Sequence, residues 1–253
     1  MQQLAQDKRS VTRDLYDAVL FDLDGVITDT ASVHAACWKR VFDEYLKERA
    51  QRQGDTFRPF DLTEDYRRYV DGKPRVDGVR DFLASRDIHL PKGSQNDPPD
   101  AETICGIGNR KNALVNAVIE GEGIEAYEGT ISFIRQLRER GFKIAVVTSS
   151  HNCEAVLESA GLDRFFQVLV DGNVIDDQHL SGKPAPDSFL MAANLLGVPA
   201  DRAVVVEDAI SGVQAGVNGH FGLVVGVARH GNTKELEQNG ANLVVQDLDE
   251  LVN

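Results

Sequence analysis

The sequence predicts a doubly wound α/β fold whose parallel sheet is interrupted, after its first strand, by an inserted helical domain. Two observations carry this. Short apolar runs bounded by Gly, Asp or Ser alternate with segments of helical periodicity, which is the pattern of parallel strands joined by right-handed helical crossovers, with ligands at the carboxyl ends of the strands. Between residues 31 and 127 the alternation stops and only helical patterns and loops remain.

The first run, AVLFDLD, closes on two acids, Asp22 and Asp24, ahead of Gly25. The helical stretch then comprises HAACWKRVFDEYLKERAQRQ, VDGVRDFLASR and NRKNALVNAVIEG, with HLPKGSQNDPPD reading as an exposed loop among them. Strand patterns return as FKIAVVTSS, FQVLVDG, AVVVEDA, GLVVGVA and ANLVVQD, whose continuous apolar content fits a sheet covered on both faces. Between them lie TISFIRQLRERG, NCEAVLESAG, PDSFLMAANLLG and ISGVQAGVNG, helical patterns closing on the Gly expected just past a helix. The expected organisation is a core formed by 1–30 and 128–253 and an inserted domain at 31–127, hinged near Thr30 and near Glu128-Gly129.

A length of 253 residues suits one large domain or a core with a smaller companion. With 42% hydrophobic and 26% charged residues the composition is that of an ordinary soluble protein. The formal charge of -13 opposes general attraction to nucleic acid or anionic membranes, so an anionic ligand requires local cations or a metal. Cys37, Cys105 and Cys153 are dispersed and odd in number, which fits a reducing, cytoplasmic setting. The opening MQQLAQDKRSVTRDLYD lacks the apolar centre of a signal peptide, and no later run is long enough to cross a bilayer. GIGNRK has Lys111 where a dinucleotide fingerprint has its third Gly, and SGKPAPD lacks the remaining residues of a P-loop, so neither indicates nucleotide binding.

The strand ends carry the chemistry. Residues two apart on a strand face the same way, so Asp22 and Asp24 are expected to reach one ligand. Thr148, Ser149 and Ser150 offer hydroxyls and free backbone N–H groups suited to a phosphate, Glu207 and Asp208 suit an oxygen-seeking cation, and Lys183 supplies a point charge. Singly, these read equally as a turn, an N-cap, a polar strand end and a surface lysine. Their recurrence at the same edge of one sheet is the informative feature.

In order, DLDGVITDT, VVTSS, Lys183 in GKPAPD and VVVEDA resemble the four motifs of the haloacid dehalogenase superfamily, over nearly the whole chain. The resemblance implies a Rossmann-like core with a helical cap at 31–127, and Mg²⁺-dependent phosphoryl transfer. Asp22 would be the nucleophile and form an aspartyl-phosphate, and Asp24 the general acid and base. Thr148, Ser149 and Lys183 would bind the transferring phosphate. Asp22, Asp208 and the Asp24 backbone carbonyl would hold Mg²⁺, with Glu207 nearby or acting through water. The cation and Lys183 together offset the repulsion between an anionic nucleophile and an anionic phosphate.

The resemblance extends to the β-phosphoglucomutase subfamily. It matches Thr30 and His34 on the first cap helix, Arg75 in DGKPRVDG, Lys111 and Asn112 in NRKN, and Ser150 and Asn152 after the second motif. It implies that Arg75 grips the non-transferring phosphate through its guanidinium fork, that Lys111 is a second cap cation, and that His34 links cap closure to Asp24. One residue departs from the subfamily: His151 stands where the mutase has a lysine. The expected activity is conversion of β-glucose 1-phosphate to glucose 6-phosphate, with a sugar-phosphate phosphatase as the rival. A dehalogenase would leave Asp24 and Asp208 without a role, and a non-catalytic binding module would most simply show a broken catalytic set. The expected partner is a small sugar phosphate, with no nucleic acid or membrane, for a monomer or weak homodimer.

Overall fold

The computed structural model describes residues 10–122, 124–229 and 231–252. The first nine residues of the polar N-terminal segment lie outside it. The chain divides into two compact units, Met1–Asp29 with Ile124–Asn253, and Thr30–Gly123.

In the first unit, six strands form one parallel sheet: β1 (Ala18–Phe21), β2 (Lys143–Val147), β3 (Val168–Val170), β4 (Ala203–Glu207), β5 (Leu223–Val227) and β6 (Leu243–Val245). Their order is β3-β2-β1-β4-β5-β6. Each corresponds to one of the six apolar runs, and the doubly wound fold read from the sequence is the fold observed. The order reverses at β1, which pairs with β2 on one side and β4 on the other. Both faces of the sheet are covered. Leu20, Ala145, Val147, Val205 and Val224 pack on one side with Phe189 and Ala192, while Phe21 meets Phe133 edge-on at 6.2 Å. Alternate residues of each strand thus serve opposite layers of helices, the reason these runs are apolar throughout.

The second unit contains α1 (Ala31–Gln53), α2 (Arg75–Ser85) and α3 (Ile104–Glu122), with a π-helical turn at Tyr66–Val70, and the helices of the first unit follow in chain order as α4 (Glu128–Glu139), α5 (Cys153–Ser159), α6 (Gly172–Asp177), α7 (Asp187–Leu195), α8 (Ile210–Asn218) and α9 (Thr233–Gln238). The buried residues Trp38, Val41, Phe42, Tyr45 and Leu46 recur at helical spacing along α1. Phe42 is the hub, with ring centroids 5.0 Å from Trp38, 5.0 Å from Phe60 and 4.3 Å from Phe82. The segment 89–100 is the exposed loop expected from its Pro and Gly content.

The division falls at 29/30 and 123/124, so residues 124–127, expected in the insert, group with the sheet-bearing unit. The reason is local pairing. Asp29 N donates to Glu125 O, Tyr127 N donates to Ile27 O, and Thr28 bridges Ala126.

Candidate active site

Strand register builds the site. Phe21 lies opposite both Val146 and Val206, so the next residue, Asp22, stands level with Val147 and Glu207. The strand stops at Phe21, which corrects the expectation that strand alternation aligns Asp22 with Asp24. Instead the chain turns: Ile27 N and Thr28 N both donate to Leu23 O, and Gly25 N donates to Thr28 O. Asp24 is half-buried in that turn, near enough to Asp22 for its charge to push the Asp22 carboxyl up.

Lys183 is the centre of the cluster. Its side chain is fully buried, and its Nζ donates to Asp22 Oδ1 at 2.5 Å, to Glu207 Oε1 at 2.6 Å and to Val147 O at 3.1 Å. Burial alone would pull this ammonium down, but the charges of Asp22 and Glu207 more than offset it and hold the group above its ordinary value. For Asp22, burial is the largest influence and raises it, Lys183 opposes this, and Glu207 and Asp24 push it further up. Glu207, wholly buried, is accommodated because α8 (Ile210–Asn218) carries glycine at 212: a Cβ there would lie 1.8 Å from Glu207 Oε1.

Carboxylate oxygens of Asp22, Glu207 and Asp208 lie within 4.8 Å of one another. Three clustered acids, two of them buried and paired with one ammonium, leave an excess of negative charge at the site, and hard carboxylate oxygens are the donors that a divalent cation takes. The donor set therefore fits the expected metal. The Asp24 carboxylate does not belong to this set.

The segment after β2 is partly as expected. Thr148 is buried, and Ser149, Ser150, His151 and Asn152 are half-buried at the same edge. Three of its N–H groups, however, are used within the protein, contrary to the reading of free donors. Thr148 N donates to Val170 O, Ser150 N to Thr148 Oγ1, and Asn152 N to Ser150 Oγ. His151 Nε2 lies 3.0 Å from Asp176 Oδ2 of α6 (Gly172–Asp177), a tie between the loop after β2 and the helix after β3 that spacing alone could not reveal.

In the helical unit, Arg75 opens α2 and rests on α3, where glycine at 108 admits it: a Cβ there would be 2.9 Å from Arg75 Cγ. Lys111, one turn further along α3 on the same face, is buried, with Nζ 2.9 Å from His34 Nδ1 and 5.1 Å from the Trp38 ring centroid. The structure thus brings together His34 and Lys111, and seats Arg75 of α2 against α3 at Gly108, one turn before Lys111. Asn112 follows, half-buried. Thr30 is buried at the start of this unit, and its carbonyl accepts from His34 N at 2.9 Å.

A parallel α/β sheet with a buried lysine and converging acids at the carboxyl ends of its central strands defines an enzyme of phosphoryl-transfer type, acting on small phosphorylated substrates. A family model described as haloacid dehalogenase-like hydrolase matches residues 16–220. The chain belongs to that family, and its close relatives include β-phosphoglucomutases. The β-phosphoglucomutase of Mycobacterium tuberculosis is 52% identical over 238 residues, 93% of this chain and 91% of that protein. A phosphorylated carbohydrates phosphatase from Thermotoga maritima is 28% identical, covering 94% and 97%. The crystal structure of β-phosphoglucomutase from Clostridium difficile superposes with a TM-score of 0.69 at 26% identity, covering 93% of each chain. Among the described residues no helix is long and apolar enough to cross a membrane.

Proposed function

We propose that this chain is a Mg²⁺-dependent mutase of sugar phosphates, converting β-glucose 1-phosphate to glucose 6-phosphate through an aspartyl-phosphate on Asp22. The observation that carries the reading is the 2.5 Å contact between Lys183 Nζ and Asp22 Oδ1, inside a buried cluster of acids. An Asp22 oxygen attacks phosphorus, the bond to the sugar oxygen breaks, and Asp24 supplies the proton that the leaving oxygen needs. In the second half, a free hydroxyl of a sugar that still carries its other phosphate attacks the phosphorylated Asp22, gives its proton back to Asp24 and frees the Asp22 carboxylate, so that the intermediate is a sugar bisphosphate that reorients and returns its other phosphate to Asp22. Lys183 holds the phosphate oxygens near Asp22, with Thr148 and Ser149 lining the same edge.

Asp22, Asp208 and the Asp24 carbonyl would hold Mg²⁺, with Glu207 close by, and the ion would supply the positive charge that lets two anions approach. Reading 31–127 as a cap assigns Arg75, Lys111, Asn112 and His34 to the non-transferring phosphate and the sugar, with Ser150 and Asn152 on the core side. The 52% identity to the mycobacterial mutase supports this choice. The phosphatase reading has its own support, since His151, tied to Asp176, replaces a fixed lysine charge.

The deciding assay supplies β-glucose 1-phosphate, a sugar bisphosphate primer and Mg²⁺, and measures glucose 6-phosphate against free phosphate. Glucose 6-phosphate as the dominant product is expected. Free phosphate with glucose as its counterpart would reject the mutase in favour of the phosphatase.

A further inference from the structure

Asn232 lies in the loop after β5 and directly precedes α9 (Thr233–Gln238). Asparagine is among the preferred residues at this position because its side-chain oxygen takes a hydrogen bond from the first turn of the helix. Here it makes no such bond. Its Nδ2 instead donates to the backbone carbonyl of Asp208, 24 residues away in sequence, at 3.0 Å. Its Oδ1 is buried and has no hydrogen-bond partner among the described residues. A residue that leaves its own helix uncapped and its acceptor unpaired while reaching across to the β4 loop is held there by something other than helix stability.

We propose that Asn232 is a positioning residue for the cation site: it fixes the backbone at Asp208 and thereby sets the Asp208 carboxylate toward Asp22 and Glu207. Asp208 is the half-buried member of the acid cluster and follows β4, where Glu207 is already fixed by Lys183. The fold therefore clamps Asp22 and Glu207 through one ammonium, whereas Asp208 is steadied through its main chain by the side-chain amide of Asn232, reaching from the loop that follows the neighbouring strand. The unpaired Oδ1 adds an acceptor at the same loop, suited to hydrogen donors such as ion-bound water. This inference rests on the reading of Asp22, Glu207 and Asp208 as cation ligands.

The test titrates Mn²⁺ into the purified full chain and reads free ion by electron paramagnetic resonance, for wild type, Asn232→Ala and Asn232→Ser. Serine keeps a capping hydroxyl but is too short to reach the Asp208 carbonyl. Both variants are expected to bind Mn²⁺ roughly tenfold more weakly, the scale of effect seen when a group that orients a metal ligand is removed. Their melting temperatures without added metal should stay within about 3 °C of wild type, as for loss of one hydrogen bond of modest net worth. In turnover, the half-saturating Mg²⁺ concentration should rise while kcat at saturating Mg²⁺ changes little. Unchanged Mn²⁺ affinity in a folded Asn232→Ser, with wild type binding normally, overturns the role of Asn232 alone. Restoration of affinity by Ser but not by Ala would assign the effect to helix capping and also overturn it. Wild type that binds no Mn²⁺ would reject the cation site itself and the inference with it.

Discussion

Replacing Lys183 by methionine removes the ammonium and keeps most of the side chain's length. In the folded chain this leaves the Asp22 and Glu207 carboxylates, 6% and 0% exposed, without the donor each holds at 2.5 and 2.6 Å. Breaking one partner out of a buried ion pair costs about 3–5 kcal/mol, because the remaining charge stays buried and uncompensated. At roughly 2–4 °C per kcal/mol for a unit of this size, the melting temperature should fall by about 6–20 °C. The fall should shrink when Asp22→Asn is added, since one of the two stranded charges is then gone. The cycle of wild type, both single variants and the double variant should give a coupling of about 0.5–3 kcal/mol. Thermal unfolding followed by circular dichroism at neutral pH, with chelator and again with excess Mg²⁺, supplies the numbers, and Mg²⁺ should recover part of the loss. A Lys183→Met chain melting within about 2 °C of wild type would refute the view that this lysine compensates the buried acids.

Asp22→Asn should fold but neither turn over sugar phosphate nor become labelled by radioactive phosphoryl donor, since an amide is a poor nucleophile; Asp24→Asn should keep metal binding and lose turnover with poor leaving groups, where unprotonated departure is slowest. Arg75→Ala should slow sugar-phosphate isomerisation about ten- to a hundredfold, the equivalent of one charge-assisted pair, and leave acetyl phosphate hydrolysis nearly unchanged, with Arg75→Lys recovering part; equal losses on both substrates would show that Arg75 supports the fold rather than a distal phosphate. The hydrogen bond from Arg202 holds the Asp17 carboxyl below its ordinary 3.8, so the stability it confers is present above that value and is lost as pH falls through the lower folded-state value. Asp17→Asn should therefore flatten the acid limb of unfolding, measured by urea midpoints across that range, with only a small effect because solvent screens the pair.

The strands were legible because a sheet buried on both faces writes itself as unbroken apolar runs. The acids were legible because carboxylates at the ends of such runs contradict strand propensity. What Lys183 touches was not, since it depends on the register of β1 against β2 and β4, set by residues more than a hundred positions apart. The helices Gly172–Asp177 and Thr233–Gln238 are too short to show a period. The start of α3 at Ile104 was hidden by its glycines, one of which makes room for Arg75. Of the N–H groups after β2, that of Thr148 looked free because the sequence does not show β3 beside it, and those of Ser150 and Asn152 are taken by the Thr148 and Ser150 hydroxyls that were themselves read as phosphate donors. Asn232 gave no signal at all, as an asparagine before a helix reads as a cap.

The central place of β1 governs the order in which the molecule can be assembled. β1 leaves the ribosome before every other strand, yet its hydrogen-bonding partners, Lys143–Val147 and Ala203–Glu207, are made much later. The unit Thr30–Gly123 is continuous in sequence and has an aromatic cluster of its own. It is complete while β1 still has both edges open, and domains generally fold as units as they emerge. An apolar strand with two unpaired edges is the most association-prone element of a nascent chain. The hazard here lasts until β2 and β4, both made after the insert, cover the two edges of β1.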